Sequence, residues 1–431
     1  MPDLDATVLI VGAGAAGLSA ARALREAGVS SCLVVDARDR IGGRILTHRD
    51  DASPVPIELG AEFVHGDSHA IWSALREARL TVCDVDREHV SIVHGVVQTR
   101  DDFSDAVDAF VSHAEKSKGP SVADALASWK RFRRRAEMRK SVANYVEGFH
   151  AAHPERFSVK AFVEAEHAGG EGIARVISGY DGVPRALAAG LDVRLEHVVT
   201  AIAWSRGSVS ASVRRRGEKA AFTMRARAAV VTLPLGVLRT PEGSEGAVHF
   251  EPGIPAVAEA VARLEVGAVV RIALRFREAF WERHPEAGRA AFFHATETAV
   301  PTWWTSRPVH SPLLVGWVGG PRAEAMLRES PNAILSHALD SLASMFAMDR
   351  SSIESQLDAW HLHDWLADPF ARGAYSYVGL GGEDASKQLA TPIEGTLFFA
   401  GEATHTGGQW GTVHGAIETG QRAAQQVIDA L

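Results

Sequence analysis

The sequence predicts an α/β fold, and three observations near its two ends support that prediction. A continuous apolar run from Thr7 to Val11 is typical of a parallel strand that is buried on both faces. A glycine-rich helical segment follows it, and a second apolar strand, "CLVVD", ends at Asp36. Near the end of the chain, "LFFAGEATHTGGQWGTVHGAIETGQRAA", residues 397–424, indicates a strand, a glycine-broken loop and a helix.

Length, charge and cysteine content indicate a globular enzyme of the reducing cytoplasm. The 431 residues allow one large domain or two interlocked domains, and a formal net charge of -8 gives no reason to expect a nucleic-acid partner. Two cysteines, Cys32 and Cys83, are too few for a disulfide framework. We expect no contact with a membrane, because no segment is apolar enough to cross a bilayer and the N-terminus lacks an export-signal pattern.

The first element has the spacing of a dinucleotide-binding turn. Gly12 permits the tight turn, Gly14 lets the backbone approach a pyrophosphate, and Gly17 lets the following helix pack on the strand. The phosphates would lie at the positive helix N-terminus. Asp36 follows Gly17 by nineteen residues and can accept hydrogen bonds from ribose hydroxyls, so we expect a dinucleotide without a 2′-phosphate.

The residues after Asp36 resemble a signature of the flavin-containing amine oxidase family. The segment "DARDRIGGR", Asp36 to Arg44, carries it, and "ELGAEFVHG", Glu58 to Gly66, extends it. The C-terminal "FFAGEATHTGGQWGTVHGA" and the segment "HDWLADPFARGAYSYVGLG", residues 363–381, are similar to further segments of that family. The family contains monoamine oxidases, polyamine oxidases and histone lysine demethylases.

The resemblance implies a Rossmann-like FAD-binding domain interleaved with an α+β substrate domain, a mixed sheet flanked by helices. The FAD-binding domain is expected at 1–70, 176–250 and 371–431, and the substrate domain at 71–175 and 251–370. The alternating residues on either side of 216–219 predict a β-hairpin.

The resemblance also implies which residues hold the cofactor. Glu402 is expected to accept a hydrogen bond from a ribityl hydroxyl, and the backbone at Val199 to contact adenine. Gly407, Gly408 and Gly411 would let the backbone pass the flavin. The full set is Gly12, Gly14, Ala16, Gly17, Asp36, Ala37, Arg38, Gly42, Gly43, Arg44, Gly60, Ala61, Glu62, Phe63, Val199, Trp365, Gly401, Glu402, Gly411, Thr412 and Val413.

Five residues are implied at the substrate side of the flavin. Tyr375 matches one wall of the family's aromatic cage, and Thr412 occupies the place of the other wall. Arg271 stands where the family usually has a lysine linked to reaction with dioxygen, which puts that reaction in doubt. His65 aligns with a residue near the substrate amine, and Trp365 would line the flavin edge.

The resemblance therefore implies FAD-dependent oxidation of a primary or secondary amine, a monoamine or a polyamine, to an imine, with dioxygen reduced to hydrogen peroxide. FAD would be noncovalent, because Ala374 holds the position where monoamine oxidases attach flavin through cysteine. An L-amino-acid oxidase, with Arg271 as carboxylate clamp, and a mainly partner-binding flavoprotein are alternatives. His361 and His363 fit one strand face, but no ligand cluster accompanies them, so no metal is expected.

Overall fold

A computed structural model describes residues 4–29, 31–85, 89–98, 103–129, 133–170 and 172–431. The strands in chain order are β1 Val8–Val11, β2 Cys32–Val35, β3 Thr47–His48, β4 Ile57–Glu58, β5 Phe63–His65, β6 Val82–Asp84, β7 His89–Val93, β8 Val96–Gln98, β9 Ile173–Val176, β10 Asp192–Arg194, β11 His197–Ser205, β12 Ser208–Arg215, β13 Ala221–Ala226, β14 Ala228–Val231, β15 His249–Glu251, β16 Leu264–Gly267, β17 Val269–Phe276, β18 Phe292–His294, β19 Thr302–Thr305, β20 Leu313–Gly319, β21 Leu357–Leu362, β22 Tyr375–Val378 and β23 Leu397–Phe399.

The helices in chain order are α1 Ala15–Glu26, α2 His69–Glu77, α3 Phe103–Ala114, α4 Val122–Ser128, α5 Arg133–Phe149, α6 Val159–Ala168, α7 Gly182–Leu187, α8 Leu235–Leu238, α9 Pro255–Arg263, α10 Gly320–Met326, α11 Pro331–Phe346, α12 Arg350–Gln356, α13 Ala385–Leu389 and α14 Val413–Ala430. Short 3₁₀ turns lie at Phe280–Arg283 and Glu402–Thr404. Within the described part of the chain, no helix combines the length and apolar character needed to cross a bilayer.

The first of two large sheets is parallel and has the strand order β10-β2-β1-β14-β23. The apolar run of β1 is buried on both faces, since Leu9 and Val11 pack into one apolar cluster and Val8 and Ile10 into another. The predicted α/β fold is confirmed. Its last strand, β23, comes from the far end of the sequence, and the final helix α14 packs beside α1, where Ser19 Oγ donates to Ile417 O over 3.0 Å.

The second large sheet is mixed and has seven strands in the order β21-β17-β20-β19-β18-β7-β8. Its pairs are antiparallel except for β18 with β7. Strand β17 lies inside this sheet, and all eight of its residues are buried. The predicted hairpin is also confirmed, because β12 pairs antiparallel with β13. The boundaries between the two predicted domains stay a prediction.

Candidate active site

One cavity of about 1160 Å³ is lined by the ends of the parallel-sheet strands, by β17 of the mixed sheet and by helix α5. The residues predicted for the site line this cavity except Gly17 and Gly407. Gly17 packs against the turn instead, since a Cβ at that position would overlap the carbonyl oxygen of Gly12. The local sequence patterns at both ends of the chain thus meet around one volume.

The turn after β1 fits a dinucleotide phosphate. Gly12 has a φ of +112°, and a Cβ there would overlap Thr232 Oγ1, so both conformation and space require glycine. Helix α1 begins at Ala15 with no side-chain cap, which leaves its first backbone N–H groups directed at the cavity end of the turn. Gly42 N donates to Ala13 O over 2.8 Å, which holds the second glycine segment beside the first. These groups form the cradle that a pyrophosphate needs.

Asp36 is fastened by the backbone on both of its oxygens. Its Oδ2 accepts from Ala13 N and its Oδ1 from Arg38 N, each over 2.8 Å. Burial raises the pKa of this carboxyl, which is 6% exposed. Each carboxylate oxygen keeps further acceptor capacity, so the residue can still accept from a ribose hydroxyl.

Arg38, predicted to be one of the residues that hold the cofactor, forms a buried ion pair. Its Nη2 lies 2.9 and 3.0 Å from the two oxygens of Asp368, and its guanidinium stands 5.7 Å from the Phe370 ring centroid. Burial would raise the pKa of Asp368, but His363 and Arg38 together hold it far below its usual range. Arg38 therefore has a fixed position on the cavity wall.

Glu402 is buried and bonded to three segments. Its Oε1 accepts from Arg44 Nη1 over 2.9 Å, and its Oε2 accepts from Ser376 Oγ over 2.6 Å and Gly411 N over 2.8 Å. Arg44 also donates to Ala374 O over 2.8 Å. The predicted ribityl acceptor is thus also a junction between the second glycine segment, β22 and the loop before α14.

Thr412 is the N-cap of α14. Its Oγ1 accepts from Gly415 N over 3.0 Å and donates to Gln409 O over 2.8 Å. With Val413 it brings the positive end of an eighteen-residue helix to the cavity. That position suits negative charge that develops on a bound group.

Arg271 reaches the cavity wall from β17, but protein groups bind its guanidinium. Its Nε donates to Glu58 O over 2.7 Å, its Nη2 pairs with Glu62, and it stands 5.2 Å from the Trp304 ring centroid. Glu62 also receives Arg175 Nε over 2.7 Å and Trp304 Nε1 over 2.9 Å. Burial would raise the pKa of Glu62, but Arg271 and Arg175 hold it below its usual range. Two guanidinium groups thus share one buried carboxylate at this wall.

Tyr375, Phe149, Tyr145 and His65 line another part of the cavity and together form an aromatic chamber. Tyr375 Oη donates to Phe149 O over 2.6 Å, and the Phe149 ring meets His65 edge-on at 5.9 Å. Phe149 is half exposed into this space, and Tyr145 stacks on it at 5.1 Å. Burial, with a smaller effect of His414, lowers the pKa of His65 to about 4, so the imidazole is neutral at pH 7.

The other predicted residues line the wall between these two regions. Trp365 is 4% exposed and donates from Nε1 to Leu59 O over 2.9 Å. Phe63 packs edge-on to Trp304 at 5.6 Å, and Val199 is buried in β11 beside an irregularity of its pairing with β12. The remaining predicted positions that line the cavity are Gly14, Ala16, Ala37, Gly43, Gly60, Ala61 and Gly401.

A cluster on helices α5 and α6 was not predicted from the sequence. Glu166 accepts from Tyr145 Oη over 3.1 Å and lies 2.8 Å from His150 Nε2, and all three residues line the cavity. Its side chain is 14% exposed. An acid three residues before the Gly169–Gly170 pair is a weak signal, because a helical glutamate is usually a solvated residue.

Comparison with known proteins agrees with this geometry. The family model of flavin containing amine oxidoreductases matches residues 15–428. Polyamine oxidase 2 of Arabidopsis thaliana is 29% identical over 97% of this chain and 87% of its own, and polyamine oxidase 3 of Oryza sativa subsp. japonica is 30% identical over 97% and 88%. Lysine-specific histone demethylase 1 homolog 3 of Arabidopsis thaliana is 28% identical over 98% of this chain, which spans 30% of that relative.

Solved structures share the fold. A putrescine oxidase bound to putrescine superposes with a TM-score of 0.82 and 24% identity, covering 99% of this chain and 100% of its own. Cyclohexylamine oxidase from Brevibacterium oxydans IH-35A superposes with a TM-score of 0.81 and 23% identity, covering 99% of each chain. At these identities, the likeness concerns the fold.

Proposed function

The chain belongs to the flavin containing amine oxidoreductase family, and from that premise we propose that it oxidises a primary or secondary amine to an imine. It is an FAD-dependent amine oxidoreductase. The proposed substrate is a monoamine or a polyamine, and the proposed oxidant is dioxygen, which becomes hydrogen peroxide. When bound, FAD supplies the acceptor for a hydride from the carbon next to the amine nitrogen.

The residues that would hold FAD form three groups along the cavity. The turn at Gly12 and the start of α1 suit the pyrophosphate, and Asp36 suits a ribose. The N-terminus of α14 at Thr412 suits the end of the ring that becomes negative. Glu402 connects the second glycine segment to the loop before α14, because it accepts hydrogen bonds from both Arg44 and Gly411 N.

The observation that carries the proposal is the continuity of one cavity from this nucleotide cradle to the aromatic chamber around Tyr375 and Phe149. Hydride transfer needs a neutral amine, a fixed carbon–hydrogen bond and exclusion of water. Rings that are fixed by packing restrict the substrate and exclude water. Tyr375 is fixed twice, since its hydroxyl is bonded to Phe149 O and Gly411 lies against its ring.

Glu166 supports an amine as the substrate class. An amine in water at pH 7 is mostly an ammonium ion, and the carboxylate of Glu166 offers that ion an acceptor inside the cavity. His65 is neutral and can accept from the amine nitrogen or orient it. We propose that these two residues receive and position the substrate amine.

The amino-acid oxidase alternative needs a free arginine to bind a carboxylate. Arg271 is bonded to Glu58 O and Glu62 and packs against Trp304, and Arg322 is paired with Glu147 over 3.0 Å. Both guanidinium groups would have to leave protein partners to bind a substrate. These contacts favour an amine over an amino acid. The cytoplasmic location stays a prediction from cysteine content.

The test is anaerobic mixing of the purified holoenzyme with a panel of amines and amino acids. We expect bleaching of the oxidised flavin band by at least one amine and by no amino acid, and peroxide formation once air is admitted. Bleaching by amino acids alone would establish the alternative oxidase. Bleaching by no compound in a broad panel would favour a binding role.

A further inference from the structure

A second cluster of polar side chains lies outside the cavity. His48 of β3, Asp50 of the following loop and His361 of β21 each offer one ligand atom, and these atoms lie within 4.8 Å of one another. The sequence predicts that His361 and His363 share one strand face. In the structure, His363 Nε2 lies 3.1 Å from Asp368 Oδ2 and is not part of this cluster. We propose that His48, Asp50 and His361 bind a divalent transition-metal ion, with zinc as the best match.

The ligand set determines the class of ion. Two imidazoles and one carboxylate suit zinc and its neighbours in the first transition series, whereas calcium and magnesium prefer oxygen ligands alone. The three side chains are partly exposed, with His361 21% and Asp50 22% accessible, so a water molecule can complete a tetrahedral site.

His361 provides the most specific observation. Its Nε2 is buried and has no hydrogen-bond partner within the described residues. The nearest acid oxygen, Asp50 Oδ2, is 3.9 Å away, too far for a hydrogen bond. Two ligands of zinc, each about 2.0–2.2 Å from the ion, stand about 3.3–3.5 Å apart at a tetrahedral angle. An ion between these atoms needs a shift of about half an ångström.

The neighbouring charges permit a cation. Arg275 contacts Asp50, but it also bonds Asp358, with Nε and Nη2 at 2.9 and 2.7 Å from Oδ2. Two carboxylates and one guanidinium leave one negative charge beside the imidazoles. When an ion takes Asp50, Arg275 keeps Asp358.

The site would connect two parts of the fold. His48 pairs with Ile57 in the β3–β4 hairpin, which follows the second glycine segment. His361 pairs with Ala273 of β17. A bound ion would fasten the hairpin to the edge strand β21, and we assign it a structural role, since none of its ligands lines the cavity.

The experiment uses the holoenzyme after dialysis against a chelator, with its FAD content verified. We expect one equivalent of zinc to bind and the unfolding temperature to rise on its addition. His361→Ala and His48→Ala should each weaken zinc binding at least tenfold and keep FAD and reduction by amine. His310→Ala, a change at a largely exposed histidine paired with Glu282, is the matched control and should bind zinc as the wild type does.

Two results would overturn the proposal. One is wild-type protein without stoichiometric zinc, which would mean that Asp50 binds only protein groups, Arg275 and the Ala52 N–H. The other is equal binding by His361→Ala and wild type, which would place the metal elsewhere. Cobalt titration of the wild type gives a check that needs no variant, because a cobalt ion bound at a site with two imidazoles and a carboxylate should give ligand-field absorption to the red of the flavin bands.

Discussion

Arg271 shares the buried carboxylate of Glu62 with Arg175, and this contact gives the arginine a structural role at a position where the family usually has a lysine. A guanidinium can donate to Glu58 O and to Glu62 at the same time, whereas a single ammonium on a flexible stem has no such fork. The residue thus has a structural role besides any role toward dioxygen.

For Arg271→Lys, we predict faster reaction of the reduced flavin with dioxygen, by about tenfold or more, because a lysine can hold water and exchange a proton. Reduction by amine should change little. Stability should fall by roughly 1–3 kcal/mol as Glu58 O loses its donor. Stopped-flow measurement of both half-reactions, with denaturant unfolding, checks this, and an unaltered reoxidation rate would restrict Arg271 to its structural role.

Tyr375 tests the aromatic chamber. Tyr375→Ala should slow anaerobic flavin reduction by the best amine about 10- to 100-fold with FAD retained, because the substrate loses its orienting wall. Tyr375→Phe keeps the ring and loses the bond to Phe149 O, so its effect should be smaller. Equal rates in wild type and Tyr375→Ala would remove the residue from the substrate site.

His65 predicts a pH dependence of stability. Its folded-state pKa of about 4 lies below the ordinary 6.5, so the unfolded chain binds the proton more readily between these values. This contribution to stability is complete above pH 6.5 and is lost as the pH falls toward 4. His65→Gln should show a smaller loss of unfolding free energy between pH 7.5 and 4.5 than wild type. The exposed change His310→Ala should leave the slope as it is.

The sequence was most informative about residues whose role is set locally. The roles of Gly12 and Asp36 could be predicted from the strand, turn and helix patterns around them. The tight turn needs a residue with a positive φ, and the end of β2 determines where the Asp36 carboxylate lies. Glu166 could not be found this way, since its role depends on a distant helix that brings Tyr145 to it. The contacts of Arg271 with Glu62 and Trp304 could not be predicted from the sequence either, because tertiary packing brings these residues together from separate segments.

At the scale of elements, two carboxylates hold the cofactor-side loops in place. Asp36→Ala leaves the backbone N–H groups of Ala13 and Arg38 without their acceptor, and Glu402→Ala does the same to Gly411 N. Each variant should lose roughly 1–3 kcal/mol of FAD binding. FAD occupancy measured at limiting cofactor decides this, and full occupancy of both variants would contradict it.

The predicted elements held where periodicity was strong. The hairpin from β12 to β13 matches the alternation of the sequence. The second arm of that hairpin ends at Ala226, and the chain divides at Arg227, because β13 pairs with β12 while β14 enters the parallel sheet beside β1. Propensity alone could not show that break, since both pieces favour strands and tertiary pairing separates them.

At the scale of the whole molecule, the position of the cysteines predicts how FAD is held. Neither Cys32 nor Cys83 lines the cavity, and residue 374 is alanine. Acid precipitation of the yellow protein should therefore release FAD into the supernatant. Flavin that stays with the precipitated polypeptide would show a covalent bond.

The packing of α14 beside α1 has a consequence for biosynthesis. Ser19 and Ile417, which are hydrogen-bonded, are 398 positions apart, so a ribosome adding roughly 5–20 residues per second needs about 20–80 s to make the second after the first. During that time the parallel sheet lacks its edge strand β23, and the cofactor cradle lacks Glu402 and Gly411. The nascent polypeptide therefore cannot complete its cofactor cradle before Glu402 and Gly411 have been synthesised, and we expect tight binding of FAD only after that point.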